Sequence, residues 1–137
     1  VAVCSEKPAI HRFPRSMATR IHGLCVALAE DYDGKGENVW RDVENAKELM
    51  ARLRKLPGYG QEKAEIFIAL LGKRFGVRPK DWKKYAGVFS DARPRSVADI
   101  YSAATLLKVR GFKQMQRARD TDKQDRPLVR KKSRVKK

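Results

Sequence analysis

The chain has 137 residues, enough for one modest core and too few for two. Its formal charge is +16 and its pI about 10.3, which points to a polyanionic partner, nucleic acid before any other. No apolar run approaches the roughly 18 residues of a membrane span, and no signal-peptide pattern opens the chain, which excludes membrane and secretory classes. The two cysteines, Cys4 and Cys25, lack metal-ligand spacing and read as reduced thiols of an intracellular protein.

Residues 1–14 show no usable periodicity and form an irregular lead-in. From Ser16, placed as N-cap, Met17, Ile21, Leu24, Cys25, Leu28 and Tyr32 recur at helical spacing, and Asp33 and Gly34 stop the helix. Trp40 lies in a connector. A second helix is expected over 43–55 with Asp42 as its cap and Val43, Ala46, Leu49, Met50 and Leu53 on one face. A third, over 61–75, is apolar nearly all round, which requires a central position, and Gly76 and Pro79 end it. A short helix through Tyr85, a loop over 90–95, a turn opened by Ser96 and a last helix over 103–119 follow. The segment 121–137 carries eight Lys or Arg against two Asp and too few apolar residues to fold, so a disordered basic tail is expected. The remaining residues still carry a net +10. The fold class is all-α, with a lead-in over 1–14, a helical domain over 15–120 and the tail.

Between the second and third helices stands "LPGYG", Leu56, Pro57, Gly58, Tyr59 and Gly60, with Ala64 four residues later. Pro57 ends the incoming helix, while Gly58 and Gly60 tolerate positive φ and a close backbone approach. Their N–H groups and the next helix N-terminus suit a phosphate, and Lys63, Lys73, Arg74 and Arg78 follow as candidate DNA-backbone contacts. Such contacts position a protein without reading sequence and are salt-sensitive.

Together, "HRFPRSMATRIHGLC", "LPGYGQEKAEIFIALLGKRFGVRP", "RSVADI" and "LLKVRGFK" resemble the C-terminal portion of bacterial HhH-GPD (helix-hairpin-helix) base-excision DNA repair proteins, over about three quarters of the chain. The resemblance implies a helix-hairpin-helix DNA glycosylase-like domain acting on double-stranded DNA, in which a damaged base is flipped out and its N-glycosidic bond cut. It also implies a monovalent cation, K⁺ or Na⁺, at the hairpin. The family's catalytic Asp stands about twenty residues beyond the hairpin, near Asp81, although "RPKDW" departs from the family's Val-Asp-Thr-His flanks. Asp81 is read either as that carboxylate or as the cap of the short helix. The Schiff-base Lys of bifunctional members is Glu62 here, with Lys63 turned about 100° away, so lyase activity is not expected. Two cysteines cannot hold the family's iron–sulfur cluster.

The family fold carries several helices upstream, and this sequence has about fifteen residues before its first helix. The resemblance therefore implies an N-terminally shortened version whose first and last helices lack packing partners, with dimerisation through those faces as one consequence. Three readings stay open: a monofunctional DNA N-glycosylase, a non-catalytic sequence-independent DNA-binding module, and an RNA- or ribosome-associated basic protein.

Overall fold

The computed structural model describes residues 2–129. Among them there are six α-helices, α1 Ala2–Ser5, α2 Pro14–Asp31, α3 Ala46–Lys55, α4 Gln61–Arg74, α5 Trp82–Ala86 and α6 Ala103–Ala118, and no strand. The all-α expectation holds. Single 3₁₀ turns lie at Gly36–Val39, Gly87–Ser90 and Val97–Asp99.

The lead-in expected to be irregular contains a one-turn helix, α1, and two further helix starts differ from the sequence reading. Pro14, not Ser16, opens α2: it occupies the first helical turn, where its fixed φ fits and its missing N–H costs nothing. Asn45, not Asp42, caps α3. Its Oδ1 accepts the Glu48 N–H at 3.0 Å, while Glu48 Oε2 accepts the Glu44 N–H at 3.0 Å. Asp42 instead sits in a left-handed bend at φ 56°, and Asn45 is extended, with the Ala46 N–H on the Lys80 carbonyl at 2.9 Å.

The core forms around α4. Ala64, Ile68, Ala69 and Leu71 meet Leu49, Met50, Leu53 and Leu56 from α3 and its exit, and Ala86, Phe89 and Ala98 from the turns beyond. The all-round apolar character of α4 follows from this position, since α3, α5 and the 87–90 and 97–99 turns all pack on it. Trp40 and Tyr59 close one end against Phe67, with ring centroids 5.9 and 5.8 Å away. Trp82 closes another by lying on Gly72, where a Cβ would stand 2.5 Å from the indole. Gly76, at φ 67°, turns the chain out of α4 as the Val77 N–H bonds the Leu71 carbonyl at 3.1 Å.

The outer helices are thinly covered. Ala18 is the one fully buried residue of α2, with Ile21 and Val26 exposed. On α6 the fully buried residues are Thr105 and Gln116, while Leu107 is 65% exposed. Leu24, Ala27 and Leu28 of α2 still pack against the core.

The expected disordered tail is corrected over residues 121–128, which fold back as a hook; residues 130–137 lie outside the described residues. Asp122 closes the hook's turn by accepting from the Gln124 and Arg126 N–H groups at 2.8 and 3.0 Å. Arg95 anchors the hook from outside. Its side chain, 3% exposed, pairs with Asp91 at 2.9 Å and Asp125 at 2.7 Å and donates to the Lys123 carbonyl at 3.1 Å. Gln116 adds a bond to Asp125 at 3.0 Å. Charge count alone misjudged this segment because its acids and bases satisfy one another locally.

Candidate nucleic-acid interface

Residues 56–59 make a tight turn in which the Tyr59 N–H bonds the Leu56 carbonyl at 3.2 Å. Pro57 and Gly58 are the residue types that a type II turn asks for at its two central positions, and Gly58 has the required positive φ of 81°. Leu56 is buried and fixes the turn to the core. Gly60 departs from expectation: its φ is −82° and ψ 178°, an extended conformation open to any residue. A Cβ there would meet nothing within 4 Å.

Gly60 is the N-cap of α4 and has no side chain to cap with, and the first helical bond runs from the Ala64 N–H to its carbonyl at 3.1 Å. The N–H groups of Gln61, Glu62 and Lys63 therefore precede the helical ladder at the positive end of the helix dipole. Lys63 folds back over the turn, with Nζ 2.8 Å from the Gly58 carbonyl and 5.6 Å from the Tyr59 ring centre. A cation at that carbonyl would have to displace Lys63. Burial pushes the Tyr59 phenol up from its ordinary pKa. Glu62, the one acid of the first turn, is paired with Lys123 at 3.1 Å, which offsets its repulsion of an anion.

Arg20 was not singled out in the sequence. It reaches the turn because α2 packs there: a Cβ on Gly23 would contact Pro57 at 3.8 Å, and one on Gly58 would contact Arg20 Cδ at 3.9 Å. Arg20 is exposed. Nothing local to residues 16–24 announces this contact.

The other expected cations gather elsewhere. Lys73 lies ten residues past Lys63, about 15 Å along the helix. Its ammonium pairs with Asp99 at 2.6 Å. Arg74 donates to the Ile100 carbonyl at 2.5 Å, and Arg78 to the Gly72 carbonyl at 2.9 Å, where a cation also suits the negative end of α4. These three make a second basic region at the opposite end of α4 from the turn.

Asp81 stands with that second region. The Lys80 carbonyl beside it bonds the first residue of α3, whose ten residues span about 15 Å to the turn. Asp81 is exposed, at φ 64°, and although it is the N-cap residue of α5 its side chain makes no capping bond. Trp40 and Trp82 both serve as packing anchors. Cys4 and Cys25 are free thiols, and among the described residues no group of three His, Cys, Asp or Glu side chains is placed to hold a metal. No helix among them is long and apolar enough to cross a membrane.

No family model, curated protein or solved structure matches the chain.

Proposed function

We propose that residues 56–64 are a helix-hairpin-helix element that grips the phosphate backbone of double-stranded DNA without reading its sequence. The observation that carries this reading is Gly60. Its conformation does not demand glycine, its Cβ would meet only open space, and Ser, Asp or Asn would cap the helix at least as well while covering the N–H groups that Gly60 leaves bare. A bare backbone at the positive end of α4, flanked by Lys63 and Arg20, is what close approach by a phosphate requires.

A place in base-excision repair follows from the resemblance, and within it a binding role is better supported than base release. Asp81 sits near the far end of α3, about 15 Å from the turn, so a sugar held at residues 56–60 is not within its reach. The glycosylase reading remains the alternative that the motifs suggest.

The test is duplex binding against salt concentration, with thermal unfolding alongside. Gly60→Ser should weaken binding while leaving the melting temperature unchanged or slightly raised, because Ser caps a helix at least as well as Gly and also stiffens the unfolded chain. Lys63→Ala and Arg20→Ala should each lower the slope of log K against log salt by about 0.9. Unchanged affinity and slope in all three would overturn the proposal. Base release from duplexes with damaged bases, abolished by Asp81→Asn, would instead establish the glycosylase.

A further inference from the structure

The second basic region encloses a cleft of about 370 Å³ between the C-terminal end of α4 and the N-terminal end of α6, lined by Lys73, Arg74, Asp99, Tyr101, Thr105 and Lys108 among others. Its acid is already committed. Asp99 Oδ1 holds Lys73, and Oδ2 accepts the N–H groups of Arg95 and Ser96 at 3.0 and 3.1 Å. Thr105 is likewise committed, since its hydroxyl oxygen accepts the Tyr101 and Ser102 N–H groups at 2.9 Å each in the α6 cap. Three cations therefore face one neutralised carboxylate. Lys73 keeps two unused N–H bonds after pairing, and Arg74 uses one guanidinium nitrogen on the Ile100 carbonyl.

Tyr101 gives the cleft its second character. The residue is 67% exposed, and the Arg74 guanidinium lies over its ring, 5.1 Å from the ring centre. One face is thus stiffened by a cation–π contact while the ring stays open to a partner. An aromatic platform beside cations is the pairing used to hold single-stranded nucleic acid, the base on the ring and the phosphate on the cations.

We infer that this cleft binds one nucleotide unit of a single strand, its base stacked on Tyr101 and its phosphate held by Lys73, Arg74 and Lys108. The site is separate from the hairpin and does not depend on the duplex-binding reading. A flipped or frayed nucleotide of DNA and an RNA strand share this chemistry.

The experiment is fluorescence anisotropy of a labelled oligo(dA) of roughly eight nucleotides with the full chain. Tyr101→Ala should weaken binding roughly five- to a hundredfold, the loss of one stacked base. Tyr101→Phe should bind as the unaltered protein does, because stacking needs the ring and not the hydroxyl. Lys108→Ala should lower the salt slope by about 0.7. Lys63→Ala should leave oligo(dA) binding intact while weakening duplex binding, which separates this site from the hairpin. Because Tyr101 is so exposed, its variants should melt at the unaltered temperature, so a binding loss is not a folding loss. Absence of oligo(dA) binding, Tyr101→Ala affinity equal to that of the unaltered protein, or an equal loss in Lys63→Ala would each overturn the inference. Tighter, Tyr101-dependent binding of oligo(rA) would support it and identify RNA as the source.

Discussion

Replacing Gly72 by Ala puts a methyl carbon 2.5 Å from Cε3 and Cζ3 of Trp82 and 2.9 Å from Cη2. Carbon atoms rest at about 3.5–4.0 Å, so the overlap is about 1 Å. A flexible side chain could swing its tip away, whereas the indole is a rigid plate held between α4 and α5. Overpacking of this kind costs about 1–3 kcal/mol, and the near-sandwich contact places it toward the upper end. The better helix propensity of Ala returns about 1 kcal/mol. A net loss of about 1–2 kcal/mol lowers the melting temperature by about 3–8 °C for a chain of this size. Thermal unfolding followed by far-ultraviolet circular dichroism reads this directly. In a Trp82→Leu background the same Gly72→Ala change should be neutral or stabilising, because the plate is gone, and the difference between backgrounds is the coupling energy. If Gly72→Ala alone raises the melting temperature, as it would in an open helix, then Trp82 is not seated on Gly72 and the packing of α5 on α4 described above is wrong.

Arg95→Ala removes three charge-assisted hydrogen bonds to the hook and its approach and should destabilise the fold by about 2–3 kcal/mol, with Arg95→Lys unable to restore a three-way fork. Hydrogen exchange should show loss of protection at the Thr121 and Leu128 amides with α3 and α4 little changed; retained protection there would dismiss Arg95 as the anchor. The same hook should be pH-sensitive. Hydrogen bonds from Arg95 and then Gln116 hold the Asp125 carboxyl below its ordinary value of 3.8, so the unfolded chain binds that proton more readily. Its contribution is therefore fully present above pH 3.8 and is lost as pH falls through the lower folded value, which amide exchange at residues 121–128 across that acid range would follow. Protection that rises on acidification would contradict the sign.

Features encoded within a few residues were legible in the sequence. The all-round apolar face of residues 64–71 predicts a central α4, Pro57 and Gly58 predict the turn, and Ser96 predicts the opening of a further turn, all of which appear. The misplaced caps came from taking the first polar residue: Pro14 at the first helical turn, and Asn45 with Glu48 three residues on, were the better local signals. What no window could supply was non-local. Arg20 reaches the hairpin through the seat of Gly23 on Pro57, and the hook folds because Arg95, 28 residues before Lys123, waits for its carbonyl. The split of the expected cation set into two regions follows from helix length, because Lys63 and Lys73 look adjacent in a list and are two to three turns apart in space.

The hook also fixes an address. Lys123 and Gln124 tie it to Glu62 at the start of α4, Leu128 lines the same hollow as Glu62, and Val129 then points outward at 93% exposure. Val129 therefore stands beside the hairpin. A donor dye attached there would sit next to the first turn of α4, and energy transfer to an acceptor on one end of a duplex would give the polarity with which the DNA lies across that turn.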